Sequence, residues 1–435
     1  MILRNPAYPA RSVRLAYCLN LRECTDVDAL SALLRSIVAP LRARLAARGP
    51  FGVGLYVPAR FARALAAPTG ARELDRLTRE LEASVLDPFT WNAFPFGGFG
   101  EEGLKSRVFA PPWSAPERLE YTVAVAHVAT ALTRRLRGTS ASATGSSARE
   151  HVSISTHTGG WAADLRGEAD LAECAFQQAR CVDALAVLEE ATGVRAVLAL
   201  EPEPGANARD LRALDQYLAF ARPRARALLE EERNRERAHA AELVDRHLSV
   251  CLDTCHAAVE GEAGEIAAEI TAGKRASPAK LQYASALRVT SPGTNPAGVE
   301  ALLALAEPRY LHQVRGHGGG DRLAVDDLPE LAAELVGERR ATWFAAREWI
   351  CHMHVPVDLE KAGLALGTTR GEADLVLAAL LADPERWARP ELHVEIETYT
   401  WEALPGWVRG DGALVEGIER EYRHVLGELA RAGWR

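Results

Sequence analysis

The chain has 435 residues, a formal net charge of −8 and 48% hydrophobic residues. That length excludes one small module and suits either one large α/β barrel with long loops or two to three ordinary domains. The ordinary apolar and charged fractions exclude bulk disorder, and the acidic balance excludes a protein built mainly for non-specific binding to nucleic acid or anionic membrane.

Seven cysteines (Cys18, Cys24, Cys174, Cys181, Cys251, Cys255 and Cys351) are spread over the chain. An odd, scattered set is a poor disulfide framework and fits a reducing compartment. The N-terminal stretch MILRNPAYPARSVRLAYCLNL holds no apolar run of signal-peptide length, and no window reaches the ~20 apolar residues of a membrane span. The expectation is a cytoplasmic protein with no membrane span and no nucleic-acid partner. Lysine occurs only at 105, 274, 280 and 361, with arginine supplying the other basic residues.

In chain order, apolar segments at 12–20, 51–58, 89–96, 151–157, 196–202, 248–254, 281–289, 310–315, 349–357 and 393–400 read as buried strands. Near-continuous apolar character marks strands covered on both faces. Stretches with apolar residues at i, i+3 and i+4 separate them, as in DVDALSALLRSIVAPLRARLAA and FQQARCVDALAVLEEATG. Such alternation predicts βαβ units and a parallel sheet, and eight units close a (β/α)8 TIM barrel. Ten candidates are two too many. YLHQVR at 310–315 reads as an inserted hairpin returned by DRLAV, and one further segment must lie outside the barrel. The expectation is one barrel over 1–435, with a loop at 137–150 and an insertion at 310–345. GGFGEEG (97–103) reads as a turn or a phosphate or lid loop, and the charged stretch 222–247 as a solvated helix.

Catalytic groups of such a barrel sit at the C-terminal ends of its strands. There the sequence places Glu201 and Glu203 (LALEPEP), Asp253 and His256 (CLDTCH), Gln282 and Ser285 (LQYAS), His352 and His354 (HMHVPV), and Glu395 and Glu397 (VEIETY). Buried carboxylates need compensation, and one divalent cation compensates several. Pairing with arginines is the bland alternative for any single acid. Oxygen ligation with one imidazole suits Mn²⁺, Mg²⁺, Fe²⁺ or Co²⁺ better than a thiolate zinc site. His256 reads as a group that orients a substrate hydroxyl, and Cys251 and Cys255 as buried small hydrophobes. Asn20, Asn92, His157 and Trp161 follow strands and suit sugar hydroxyls and a sugar face, while Lys105 suits a phosphate or carboxylate. The nucleophile-elbow and P-loop patterns are absent.

NAFPFGGF, LALEPEPG and CLDTCHAAVE resemble the xylose-isomerase-like barrel superfamily. With LKSRVFAPPW, ISTHTGGW, KLQYASALRV, YLHQVR, HMHVPV and VEIETYTWEALP in order, nearly the whole chain resembles the EboE-type family of metabolite-traffic proteins. The resemblance implies an eight-stranded barrel and a divalent metal (Mn, Mg, Fe, Co or Zn) on a Glu, Asp, His, Glu set. Glu201, Asp253 and Glu397 match three of these positions. The histidine departs: either Gln282 replaces it, or His354 supplies it, and the reading leans to His354. The implied reaction is isomerisation or epimerisation of a small sugar-like or polyol metabolite through an enediolate. Glu201 and Glu397 would move the proton, and His256, Lys105, Gln282 and the strand-end asparagines would position substrate. A degraded barrel that binds or carries a metabolite precursor is the second reading, and an endonuclease-IV-like role the third, disfavoured by the acidic charge. The implied partner is a small-molecule metabolite, and homo-oligomerisation is left open.

Overall fold

The computed structural model describes residues 1–45, 49–98, 103–139, 151–320, 322–363, 365–404 and 409–435. Most of the expected 137–150 loop, at 140–150, and residues 99–102 of the glycine-rich stretch lie outside the described residues.

A short strand β1 (Ile2–Arg4) precedes seven strands that run in parallel. They are β2 (Ser12–Cys18), β3 (Phe51–Tyr56), β4 (Leu86–Asn92), β5 (Val152–His157), β6 (Ala196–Glu201), β7 (Leu248–Asp253) and β8 (Lys280–Tyr283). An inserted sheet follows, made of β9 (Ser285–Thr290), β10 (Val314–His317), β11 (Leu323–Val325), β12 (Glu348–Val355) and β13 (Gly367–Thr368). The last strand, β14 (Glu391–Ile396), pairs in parallel with both β8 and β2, while β2 also pairs with β3. Eight parallel strands therefore close on themselves with helices between them, which is a (β/α)8 barrel. Among the described residues no helix is long and apolar enough to cross a membrane.

The two surplus strand candidates resolve in the inserted sheet. The segment read at 310–315 lies at and before β10, which pairs antiparallel with β11 as expected of a hairpin. The other surplus segment, at 349–357, is β12, paired antiparallel with β9 and β10. The sheet spans Ser285–Thr368, wider than the expected 310–345. LQYASALRV reads as one strand but breaks at Ala284. The Thr254 hydroxyl accepts from Ala284 N at 2.9 Å and lies 2.6 Å from its carbonyl oxygen. This satisfies the backbone away from either ladder, so barrel and inserted sheet part there.

The inserted sheet has its own apolar cluster, including Leu287, Val289, Val314, Trp343, Trp349 and Met353. The barrel's outward strand faces join a separate cluster beneath the helices, with Leu281, Tyr283, Leu392, Val394 and Ile396 among its members. Alternate residues of β14 are therefore apolar toward the helices, while Glu391, His393 and Glu395 are left for the barrel interior, as period-2 geometry requires.

Candidate metal and acid–base centre

The barrel interior is filled by ionic layers. At one end Arg14 bridges Asp87 at 2.6 Å and Glu391 at 2.7 Å. Farther along, Lys280 contacts Glu395 at 2.6 Å and donates to Asn92 Oδ1 at 2.8 Å and Ser155 Oγ at 2.9 Å. Above this, the strand ends open into a cavity lined by Asn92, Ser155, Glu201, Glu203, His256, Gln282, His352, His354 and Glu397. Phe94, Leu104, Val108, Phe109, Tyr310, Leu311 and Tyr399 form its apolar wall.

Glu201 ends β6, and Glu397 lies just past β14. Both Glu397 oxygens are held by amide donors: Asn20 Nδ2 reaches Oε1 at 2.9 Å, and Gln282 Nε2 reaches Oε2. Burial, reinforced by the Asp253 charge, pushes Glu397 up to about 8. Burial followed by Asp253 and Glu397 holds Glu201 well above the usual carboxylate range, and Glu203 is raised by burial, Asp253 and Glu397. Desolvation and crowding of like charge both disfavour the ionised forms.

Asp253 ends β7 and caps the following helix, Thr254–Val259. Its Oδ1 accepts from Cys255 N at 2.6 Å and His256 N at 3.1 Å. Its Oδ2 is buried with no hydrogen-bond partner among the described residues. The helix turn carries His256 over the barrel mouth, where His352 and His354 arrive from the inserted sheet. The β12–β9 register shifts between Cys351 and Val355, and within that irregularity both histidines enter the cavity lining. His256 Nε2 lies 3.1 Å from His352 Nε2 and 3.3 Å from His354 Nε2. His354 Nε2 is 3.9 Å from Asp253 Oδ2. Ligand atoms of Asp253, His256 and His354 fall within 4.8 Å of one another, as do those of Glu203, His256 and His352. An orphaned buried carboxylate oxygen among converging imidazoles is a donor set that fits a divalent cation.

The structure gathers Glu201, Asp253, His256, His354 and Glu397 at one barrel end, with Asn92 and Gln282 beside them. Gln282 is spent within the protein, since its amide donates to Glu397 and Asn92 while its Oε1 lies 2.8 Å from Cys251 Sγ. Lys105 lines the cavity, but it donates to the Glu307 and Tyr310 carbonyls at 2.7 Å each and pairs with Asp327 at 2.6 Å. It thus ties down the segment that brings Tyr310 to the cavity. His157 is buried among Phe94 and Phe109, and Trp161 packs against Gly205 in a neighbouring depression. Neither lines this cavity.

Sequence reasoning placed Glu203, His352 and Glu395 at strand ends without assigning them a ligand or proton-transfer role, and it gave no site role to Gln313 or Lys280. Two signals were present. HMH places two imidazoles on one strand face, and Lys280 is one of only four lysines, inside an apolar segment.

No family model matches this sequence, and no curated protein matches it. Similar solved structures include that of the IolI protein with a bound zinc atom, at a TM-score of 0.41 and 10% identity over 97% of this chain and 99% of that one. A xylose isomerase domain-containing protein from Salmonella typhimurium LT2 gives a TM-score of 0.37 and 10% identity over 95% and 97%. These likenesses are too weak to bear on the site or its chemistry. The barrel assignment rests on strand order and closure.

Proposed function

We propose that the chain is one barrel domain acting as a divalent-metal-assisted isomerase or epimerase of a small polyol or sugar-like metabolite, a reading that agrees with the EboE-type resemblance of its motifs. The observation that carries it is the pair Glu201 and Glu397, buried in one cavity and both held above the ordinary carboxylate range. Moving a proton between adjacent carbons needs one group to accept it and a group to return it, with proton affinities near the working pH. One carboxylate takes the proton from the carbon beside the substrate carbonyl, leaving an enediolate, and a carboxyl returns a proton to the former carbonyl carbon while the hydroxyl proton passes from the old hydroxyl oxygen to the old carbonyl oxygen. Atoms and charge balance without an oxidant. Asn20 and Gln282 fix the Glu397 carboxylate. The apolar wall excludes water, which would otherwise level these proton affinities. Asp253, His256 and His354 would hold a divalent cation, which would supply charge stabilisation for the developing oxyanion.

The test is hydrogen exchange. Metal-loaded protein in D₂O is given a panel of keto-polyols and ketoses, and loss of the α-C–H proton signal is followed by NMR. Wild type should exchange one of them, and Glu201→Gln and Glu397→Gln should each slow that exchange by about 10²–10⁴-fold. The second reading, a barrel that binds or carries a metabolite precursor, draws on Gln282 standing where a barrel-strand histidine is expected. Ligand binding without exchange in wild type would favour it.

A further inference from the structure

The cavity that holds the paired carboxylates is small. Its volume of about 70 Å³ has room for about five or six water molecules, the bulk of one six-carbon ring. A larger chamber of about 350 Å³ lies beside it. Arg309, Tyr310 and Tyr399 line both spaces and so form the partition between them. Within that partition the half-buried Tyr310 and Tyr399 rings stand 5.6 Å apart at 56°. Asn20 links the two spaces a second time. It lines the chamber, while its Nδ2 donates to Glu397 Oε1 at 2.9 Å. The chamber thus begins one side chain away from a carboxylate of the proton-transfer pair.

The lining of the chamber selects its occupant. Three guanidinium groups, on Arg22, Arg309 and Arg409, meet three carboxyl groups, on Glu23, Glu307 and Glu402. Arg22 is also paired with Asp411. At Glu307, burial is outweighed by hydrogen bonds from His312 and from the Tyr310 and Arg309 amides, which hold it down at about 2 and keep it ionised. A phosphate or carboxylate entering this chamber gains little net attraction and meets an ionised acid. A neutral, hydroxyl-rich ring fits better. Tyr310, Tyr399 and Trp401 offer aromatic surface to its C–H faces. The planar guanidinium and carboxyl groups offer paired donors and acceptors to its adjacent hydroxyls.

We propose that the substrate is a glycosylated polyol or ketose, with the reacting ring in the small cavity and a neutral sugar unit, joined to it through oxygen, in the chamber beyond Tyr310 and Tyr399. This rests on the isomerase reading for what happens to the first ring and extends it by the second.

Binding is measured by titration calorimetry on full-length, metal-loaded protein with two matched sets of probes. One set is myo-inositol, galactinol and inositol monophosphate, and the other is fructose, lactulose and fructose phosphate. In at least one set the glycosylated member should bind about tenfold or more tighter than its bare ring, and tighter than the phosphate ester. Ala413→Trp and Ala403→Trp each fill the chamber from its own wall, and each should bring the glycosylated probe down to parity with the bare ring. The wild-type comparison needs no variant. A bare ring or phosphate ester that binds as tightly as the glycosylated probe in both sets, no binding of either glycosylated probe, or an advantage that survives both folded variants would overturn the proposal. Hydrogen exchange in D₂O separates it from the isomerase reading. Tight binding of a glycosylated probe without exchange would keep the chamber assignment and sink the isomerase. Exchange of a bare ring with no gain from the added sugar would do the reverse.

Discussion

The Lys280 ammonium meets the Glu395 carboxylate at 2.6 Å inside the barrel, and neither side chain is exposed. Burial alone would discharge the lysine, but the Glu395 charge, together with the neighbouring Cys251, Cys18 and Glu397, outweighs it and raises the Lys280 pKa above its ordinary value. Asn92 and Ser155 take its remaining protons. Removing one member of such a pair strands the other charge, at about 3–5 kcal/mol. Lys280→Met should therefore lose about that much stability in urea unfolding. Combining it with Glu395→Gln should recover most of the loss, because no uncompensated charge is then buried. If the two losses simply add, the pair is not coupled and this account is wrong.

The same carboxylate explains a glycine. A Cβ built on Gly54 would fall 1.7 Å from Glu395 Oε1. Gly54→Ala must push Glu395 away from Lys280 or move β3, and overpacking of this kind costs about 1–3 kcal/mol before any loss of the ion pair. The expected result is a substantial fall in unfolding free energy in wild type and a much smaller one in a Glu395→Ala background. Equal penalties in the two backgrounds would place the clash elsewhere.

Much of this organisation is legible in the chain. The strand–helix alternation marks all eight barrel strands, and YLHQVR with DRLAV marks a hairpin. The strand ends LALEP, CLDTCH and VEIETY supply the acids that the barrel gathers. The extent of the inserted sheet is hidden because LQYASALRV is continuous in apolar character. Its break at Ala284 depends on the Thr254 hydroxyl, 30 residues earlier. The convergence of His256 with His352 is hidden for a similar reason. The two are 96 residues apart, and only the register shift in β12 brings them to 3.1 Å. Local periodicity reports which face a residue occupies, not which distant element that face meets.

Glu421 lies in the last helix, Asp411–Arg431, far in sequence from the strand-end acids, and it is fully buried. Its Oε1 accepts from Thr398 Oγ1 at 2.6 Å, and its Oε2 lies 2.9 Å from Tyr17 OH. Tyr17 has one hydroxyl proton, and the Thr398 carbonyl oxygen lies 3.0 Å away to take it. A protonated Glu421 can then donate to the Tyr17 oxygen. Burial pushes this carboxyl from an ordinary 4.5 up to about 8. A raised folded pKa means the folded state holds the proton more tightly than the unfolded chain. That stability is fully present below pH 4.5 and is lost as pH rises through about 8. Glu421→Gln should keep the donor toward Tyr17 without the titration. The difference in unfolding free energy between wild type and this variant should move in favour of the variant between pH 5 and pH 9, on the order of a few kcal/mol. Parallel pH curves would show that Glu421 stays ionised.

His157 titrates with the opposite sign. It is buried at the end of β5, its ring 5.2 Å from that of Phe94 and 5.8 Å from that of Phe109. Neither ring nitrogen has a hydrogen-bond partner among the described residues. Burial, aided by the Arg118 charge, depresses its pKa well below 6.5. The neutral ring supports the fold fully above 6.5, and this support is lost as pH falls toward the depressed folded value. His157→Phe should remove two unpaired polar atoms and gain about 1 kcal/mol at neutral pH. Its acid-unfolding midpoint should move to lower pH, because one group no longer draws the chain open by taking up a proton. Metal binding should be unchanged, since His157 lies outside the cavity lining. A variant that is less stable at neutral pH, with an unmoved acid midpoint, would mean that the imidazole nitrogens have a partner in solution and that His157 belongs to the working site.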